Sequence, residues 1–373
     1  MMRAQLFQRA VIAAAVAGCL GIAMAGCSGN SPHPRASMAI VPSTAASGAA
    51  PGSTSAASAS ASGAAPAASS SATVSCAAAG ATTVSSAGAL TSALSSARPG
   101  EVIALAAGVY SGDFVASRSG TAGAPITLCG SRNAILQGES TTSGYTFYLN
   151  HASWWRVEGF TVEGGQKGVM TDGADHNLLN GLYVHGTGDE AIHLRSFSSD
   201  NTVSNNVIRD TGLLKSFYGE GIYVGSAHEN WCTYSGCQPD RSDDNVLMDN
   251  NIADTTAENI DVKEGTTGGK IIGNQFNGTG MVESAATGWI NVKGNDWTIQ
   301  DNTGTDSVEN GYQVHQVYPG WGIGNVFIDN RAQVNGPGYG IYVQNKRLQT
   351  VVACNNVVTG AAKGFSSVAW SSA

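Results

Sequence analysis

The feature that most restricts the fold is a repeat. From Trp154 onward a short apolar strand ends in a tight bend, again and again, usually at Asn. The bend falls at Glu158, Asn180, Asn205, Asn250, Asn274, Asn302, Asn330 and Asn355, at intervals of 22, 25, 45, 24, 28, 28 and 25 residues. A period of this size, built from short strands with Asn and Gly at the bends, marks a solenoid whose repeats bury their apolar faces against one another. Asn suits the bends because it tolerates left-handed backbone and bonds locally. No helix-period segments separate the strands, which excludes βαβ units. A propeller blade needs about 40–50 residues and four strands. The long interval holds one insertion, Ser226 to Asp244. The expected fold is all-β: a single right-handed parallel β-helix, one coil per repeat.

A second strand recurs in each repeat: Val169–Asp172, Ile192–Arg195, Ile222–Gly225, Glu258–Lys263, Ile290–Lys293, Tyr312–His315 and Ile341–Gln344. Apolar or small residues alternate with mostly polar ones, so one face is buried and the other faces water. The polar positions predict two outward ladders. One runs Met170, His193, Tyr223, Asp261, Asn291, Gln313, Tyr342; the other runs Asp172, Arg195, Gly225, Lys263, Lys293, His315, Gln344. Stacked in parallel, neighbouring rungs stand about 4.8 Å apart. The two ladders would line one groove.

The N-terminus reads as an export signal. Arg3 and Arg9 form a basic region, Val11–Met24 is apolar, and Met24-Ala25-Gly26-Cys27 fits a lipoprotein box. Cys27 is then the lipidated first residue, and residues 1–26 are removed. The expected location is the cell envelope, lipid-anchored, or outside the cell. Residues 27–73 are Ala, Ser, Gly and Pro with almost no large apolar side chains, and are expected to be a disordered tether. Residues 74–373 are expected to form the β-helix. Ala87, Leu90, Leu94 and Ala97 recur at helical spacing ahead of Pro99-Gly100, which predicts a short capping helix.

The formal charge is −8, and losing Arg3 and Arg9 takes it to −10. That argues against nucleic acid or anionic lipid as partners, leaving the membrane reachable only through the anchor. A monomer is expected. Export permits disulfides. Cys232–Cys237 and Cys76–Cys129 are the expected pairs, with Cys354 left over.

Several segments resemble the opening coils of pectate-lyase-like β-helix proteins. They are Leu105–Tyr110, Ser119–Leu128, Ile135–Gly138 and Trp155–Phe160. The closest likeness is to the chondroitinase B and alginate lyase family of polysaccharide lyases, over roughly Val84–Val358. Glu258-x-Ile260-x-Val262-Lys263 is similar to that family's segment carrying a calcium-binding glutamate and a catalytic lysine. The resemblance implies Lys263 as base and Glu258 at a metal. Lys293 stands where the family continues with arginine, and Thr256 stands in place of a second glutamate.

The residues themselves support such a site. β-Elimination removes the proton α to a uronate carboxylate, which requires that the carboxylate charge be neutralised and that a base stand within reach. Lys293, one rung from Lys263, is placed to lower its pKa. Arg195 and His315 share that ladder, as partners for charge or for the leaving group. Glu190, Glu220 and Glu258 precede three successive strands at one register, and hard oxygen ligands so stacked suit Ca2+. Asp189 and Asp261 are further candidates for it. His193, Tyr223, Asp261 and Asn291 would bind sugar along the groove. Trp231, Tyr318 and Trp321, on loops leaving its edge, would stack on it.

The function expected is a polysaccharide lyase acting on a uronate-containing glycan; a C5-epimerase would use nearly the same groove. The alternative is a non-catalytic β-helix that binds glycan or mediates adhesion, in which each ladder residue is solvated surface. An inverting glycoside hydrolase would need a carboxylate pair, such as Asp261 with Glu220, about 6.5–9.5 Å apart.

Overall fold

The computed structural model describes Cys76 and residues 80–371. The expected signal, Cys27 and the whole tether lie outside the described residues. The rest is a parallel β-helix of three sheets, with 11, 10 and 10 strands. Every strand pairing is parallel, and each coil gives one strand to each sheet.

Inside, like stacks on like. Ile192, Ile222, Ile260, Ile290, Tyr312 and Ile341 are paired rung to rung and fully buried. A fully buried aliphatic side chain contributes about 1.5–3 kcal/mol, so this column and its equivalents hold the coils together. Trp155, Trp289 and Trp297 fill the widest parts of the core.

Asparagine does stack at a corner, one residue later than expected in two coils. Glu158 and Asn180 are not part of the stack, since Asn180 pairs with Ser204 and Glu158 with Asn180, two residues before its register. The column is Asn206, Asn250, Asn274, Asn302, Asn330 and Asn356, each at most 2% exposed. From Asn250 on, each Oδ1 accepts both the backbone N–H and the Nδ2 of the Asn one coil earlier, at 2.9–3.1 Å, and Asn206 Oδ1 accepts from the Leu182 amide. Asn205 and Asn355 are their outward neighbours, and Asn205 takes the left-handed turn with φ 55°. In a second corner column the Asn177 amide donates to Asn201 Oδ1, and the Asn201 amide and Nδ2 donate to Asn245 Oδ1.

The helix spans Ala87–Ser96, with Ser86 as its N-cap accepting from the Ala89 amide. Leu90 and Leu94 are buried against the first coil. The Cys76–Cys129 and Cys232–Cys237 disulfides form as expected. Cys354, expected to be left over, does not stand alone. Among the described residues no helix is long and apolar enough to cross a membrane.

Candidate active site

The candidate site lies on the 10-stranded sheet that runs from Phe114–Ala116 to Gly364–Ser366. Both expected ladders form. His193 pairs with Tyr223, Tyr223 with Asp261, Asp261 with Asn291, and Asn291 with Gln313. Past the strand ends, the amides of Gly225, Lys263, Lys293 and His315 donate to Leu194, Val224, Val262 and Val292 carbonyls at 2.7–3.0 Å, which keeps the second ladder in step. Gly225, at φ 83°, is where the chain turns away into the insertion.

Asp261 is the centre of the site. It is 2% exposed. Lys293 Nζ stands 2.5 Å from its Oδ1 and 2.7 Å from its Oδ2, and Lys263 Nζ stands 2.7 Å from Oδ2. Burial alone would raise this carboxyl, but the two ammonium groups outweigh it and hold Asp261 below the usual range. Asp261 is therefore an internal counter-ion, not a free sugar-binding group.

Lys263 differs from expectation. Burial opposes its charge, but Asp261, Tyr223 and Glu220 overcome that and raise its pKa well above the ordinary value. Its Nζ also lies 4.7 Å from the centre of the Tyr223 ring. The repulsion expected from Lys293 is more than cancelled by the carboxylate between them. Lys263 is a fixed ammonium here.

The carboxyls before the strands split into two groups. Glu220, Glu258 and Asp261 each bring an oxygen within 4.8 Å of the others. Burial and then Glu190 and Asp261 push Glu220 well up, and its buried Oε2 has no protein partner. Burial and then Asp261 raise Glu258, against the pull of Lys293 and Asn291. Glu190 stands apart from this cluster. Lys167 Nζ pairs with its Oε2 and His193 Nδ1 lies 3.3 Å from its Oε1, so despite burial it falls to about 2. Asp189, the other spare candidate, is engaged by Gln166.

The remaining predicted residues divide into those that face the lysines and those that do not. Asn291 donates to Glu258 Oε1 at 3.0 Å, and its Oδ1 faces His315 Nδ1 at 2.8 Å. With the Asn291 amide so committed, His315 donates through Nδ1 and keeps its lone pair on Nε2. Burial and then Lys293 lower His315 to about 4. His193 is buried, its Nε2 3.0 Å from Gly225 O and its ring 4.4 Å from Tyr223. Arg195 is not available to the lysines. It is paired through two nitrogens with Asp172, at 2.7 and 2.8 Å, and covered by the Tyr234 ring at 3.7 Å.

The insertion packs beside the strand end that carries Arg195. Asp240 anchors it by accepting from the Ser196 and Phe197 amides and the Ser226 hydroxyl. Trp231, expected to be exposed, is 7% exposed and donates to Ser226 O. Tyr318 stays half-exposed, with its ring 4.9 Å from His228 and 5.2 Å from Trp231. Trp321 lies against Arg241.

A family model described as "Periplasmic copper-binding protein (NosD)" matches residues 108–318, more than half of the chain. The crystal structure of an alginate lyase from Paenibacillus sp. str. FPU-7 is 36% identical, with a TM-score of 0.71 over 76% of this chain and 97% of that one. The chain belongs to the NosD family of pectate-lyase-like β-helix proteins. Two further solved structures share the fold. The pectate lyase Pel9A is 18% identical, with a TM-score of 0.52 over 73% of this chain and 72% of that one. A mannuronic acid specific family 6 lyase from human gut microbiota is 13% identical, with a TM-score of 0.50 over 78% and 77%. No curated protein matches the sequence.

Three groups at the site were not foreseen. Lys167 neutralises Glu190, Tyr148 donates to Asp172 Oδ2 at 2.8 Å, and Tyr234 caps Arg195. Lys167 begins its strand just before the polar ladders, so the alternation gave no sign of it.

Proposed function

We propose that this β-helix is a polysaccharide lyase that cleaves a uronate-containing glycan, alginate first among candidates, by β-elimination. One observation carries the proposal: in an acidic chain, Lys263 and Lys293 converge on a single buried Asp261 while the two neighbouring carboxyls are driven toward their neutral forms. The groove floor is thus locally cationic, which suits a substrate carboxylate whose charge must be neutralised before the adjacent C–H becomes acidic. The alginate lyase that is 36% identical over nearly its whole length supports the same chemistry.

The charged state of Lys263 suits it to bind that carboxylate and to return a proton to the departing glycosidic oxygen. His315 Nε2, with its lone pair free, takes the α-proton. Binding a carboxylate at Lys293 removes the repulsion that depresses His315 and so makes it a stronger base. Tyr223 and Asn291 hold the sugar between them.

Glu220, Glu258 and Asp261 would hold a hard divalent cation such as Ca2+, since they offer only oxygen donors and Glu220 Oε2 is buried without a partner. When bound, that ion would add Lewis-acid neutralisation of the uronate carboxylate. Its site would be the proton-rich cluster that the carboxyls otherwise form.

The test is an assay on alginate, pectate and chondroitin, with Ca2+ and with chelator, following ultraviolet absorbance of unsaturated uronate ends. The expected result is a signal that Lys263→Ala abolishes. Binding without any signal on these uronans points instead to a glycan-binding module, as does the ion-paired Lys263 if it proves inert. Reducing ends without ultraviolet absorbance point to hydrolysis. We further propose export with lipid attachment at Cys27, which labelling by radioactive palmitate, lost in Cys27→Ala, would test.

A further inference from the structure

Where the insertion meets the coil of Lys263, a second cluster of metal-binding side chains lies outside the groove chemistry. His228, Glu229 and Glu264 each bring one donor atom within 4.8 Å of the others. Glu264 directly follows Lys263 in sequence and is 1% exposed. Its Oε1 accepts from the His228 amide and faces His228 Nδ1, both at 2.8 Å, and its Oε2 is buried with no partner. Glu229 Oε2 lies 3.3 Å from the same nitrogen.

These separations have a chemical meaning. Nitrogen and oxygen ligands of a zinc-like ion sit at about 2.0–2.2 Å, so neighbouring ligands of a tetrahedral set are about 3.3–3.6 Å apart. Glu229 Oε2, 3.3 Å from His228 Nδ1, already stands at that spacing, while Glu264 Oε1, at 2.8 Å, is at hydrogen-bond distance and would move back by about half an ångström when an ion replaces the proton between them. A buried carboxylate with an unused oxygen is costly unless something positive satisfies it. His228 approaches Glu264 from the insertion, and a histidine takes a proton or a metal in the same place.

We propose that His228, Glu229 and Glu264 bind one divalent transition ion, zinc-like in its preference for one nitrogen and two carboxylate oxygens, with the remaining position left to water. Binding displaces the proton on His228 Nδ1. The ion ties the first turn of the insertion to the coil that carries Lys263. It thereby fixes the segment that places Tyr234 over Arg195 and Tyr318 beside His228. This site is distinct from the Glu220, Glu258 and Asp261 cluster and does not depend on the lyase proposal.

The test uses the purified chain, stripped with chelator and titrated with zinc alone in a calorimeter. One zinc per chain is expected. His228→Gln and Glu264→Gln should weaken binding at least tenfold, while Glu220→Gln should leave it unchanged. Cobalt in place of zinc should give visible d–d absorption that His228→Gln removes. His228 is partly exposed, so its variant should fold, and an unchanged melting curve without metal will show that it has. Absence of stoichiometric zinc binding, binding untouched by His228→Gln, or binding lost in Glu220→Gln would each overturn the proposal.

Discussion

Lys293 grips Asp261 through both carboxylate oxygens, at 2.5 and 2.7 Å, and Lys263 shares one of them. The pair is nearly sealed from solvent, so its worth lies in mutual satisfaction of groups that could not stand alone there. Asp261→Asn keeps the shape and removes the charge, leaving two buried ammonium groups facing each other. Loss of one partner of a buried pair costs about 3–5 kcal/mol. The lysine side chains retain 11–15% exposure, which favours the lower end. Urea denaturation should show a loss of about 3 kcal/mol, and the Lys263 pKa should fall because its main counter-charge is gone.

Glu220 makes the opposite prediction for pH. Its folded pKa is raised well above 4.5, so the folded state holds a proton that the unfolded state releases. Stability is fully retained below 4.5 and lost as pH rises toward the folded value. Glu220→Gln should therefore melt higher than the wild type at pH 8 and equally at pH 4. Calcium should raise the wild-type melting point at pH 8 and have a much smaller effect on Glu220→Gln. A variant that melts lower at pH 8 would contradict the assignment.

The asparagine corner shows what sequence could and could not locate. The repeat was legible because its period is long and its strands alternate cleanly. The inward-facing Asn was ambiguous wherever two lie together, as at Asn205-Asn206 and Asn355-Asn356. Period alone cannot say which of a pair turns in; the left-handed φ of Asn205 decides it. Asn206→Ala should orphan the Leu182 amide and its own amide's acceptors. A cost of about 2–4 kcal/mol is expected, from one to two buried groups left unpaired. Asn205→Gly relieves a positive φ and should change stability by less than about 1 kcal/mol. Thermal melts of the two variants test the register directly.

The candidate site was legible to the same depth. The ladders could be read because register follows from alternation, and so Lys263, Lys293, His315, Asp261 and Asn291 could be placed side by side. Their charge states could not. Lys293 alone would depress Lys263; Asp261 between them reverses the sign, and that depends on side-chain direction across rungs. Likewise Glu190 left the carboxylate stack because Lys167 reaches it from the preceding coil.

The state of His315 gives the most discriminating kinetic prediction. Burial and Lys293 lower it to about 4, so in the free enzyme it is a neutral base over the whole neutral range. Lys263, held high, remains an acid over that range. The kcat/KM profile reports the free enzyme. It should fall only as pH drops toward about 4, and should show no basic limb below the ordinary lysine range. In the bound complex the substrate carboxylate offsets Lys293, so the acid limb of kcat should lie at higher pH than that of kcat/KM. His315→Gln should lower kcat by about 100-fold or more, the usual contribution of a positioned base, and should abolish this separation of limbs. Tyr223→Phe should instead raise KM and leave the limbs in place. If Tyr223→Phe removes turnover while His315→Gln keeps it, the proton is taken on the other side of Lys263, and the roles of the two neighbours must be exchanged.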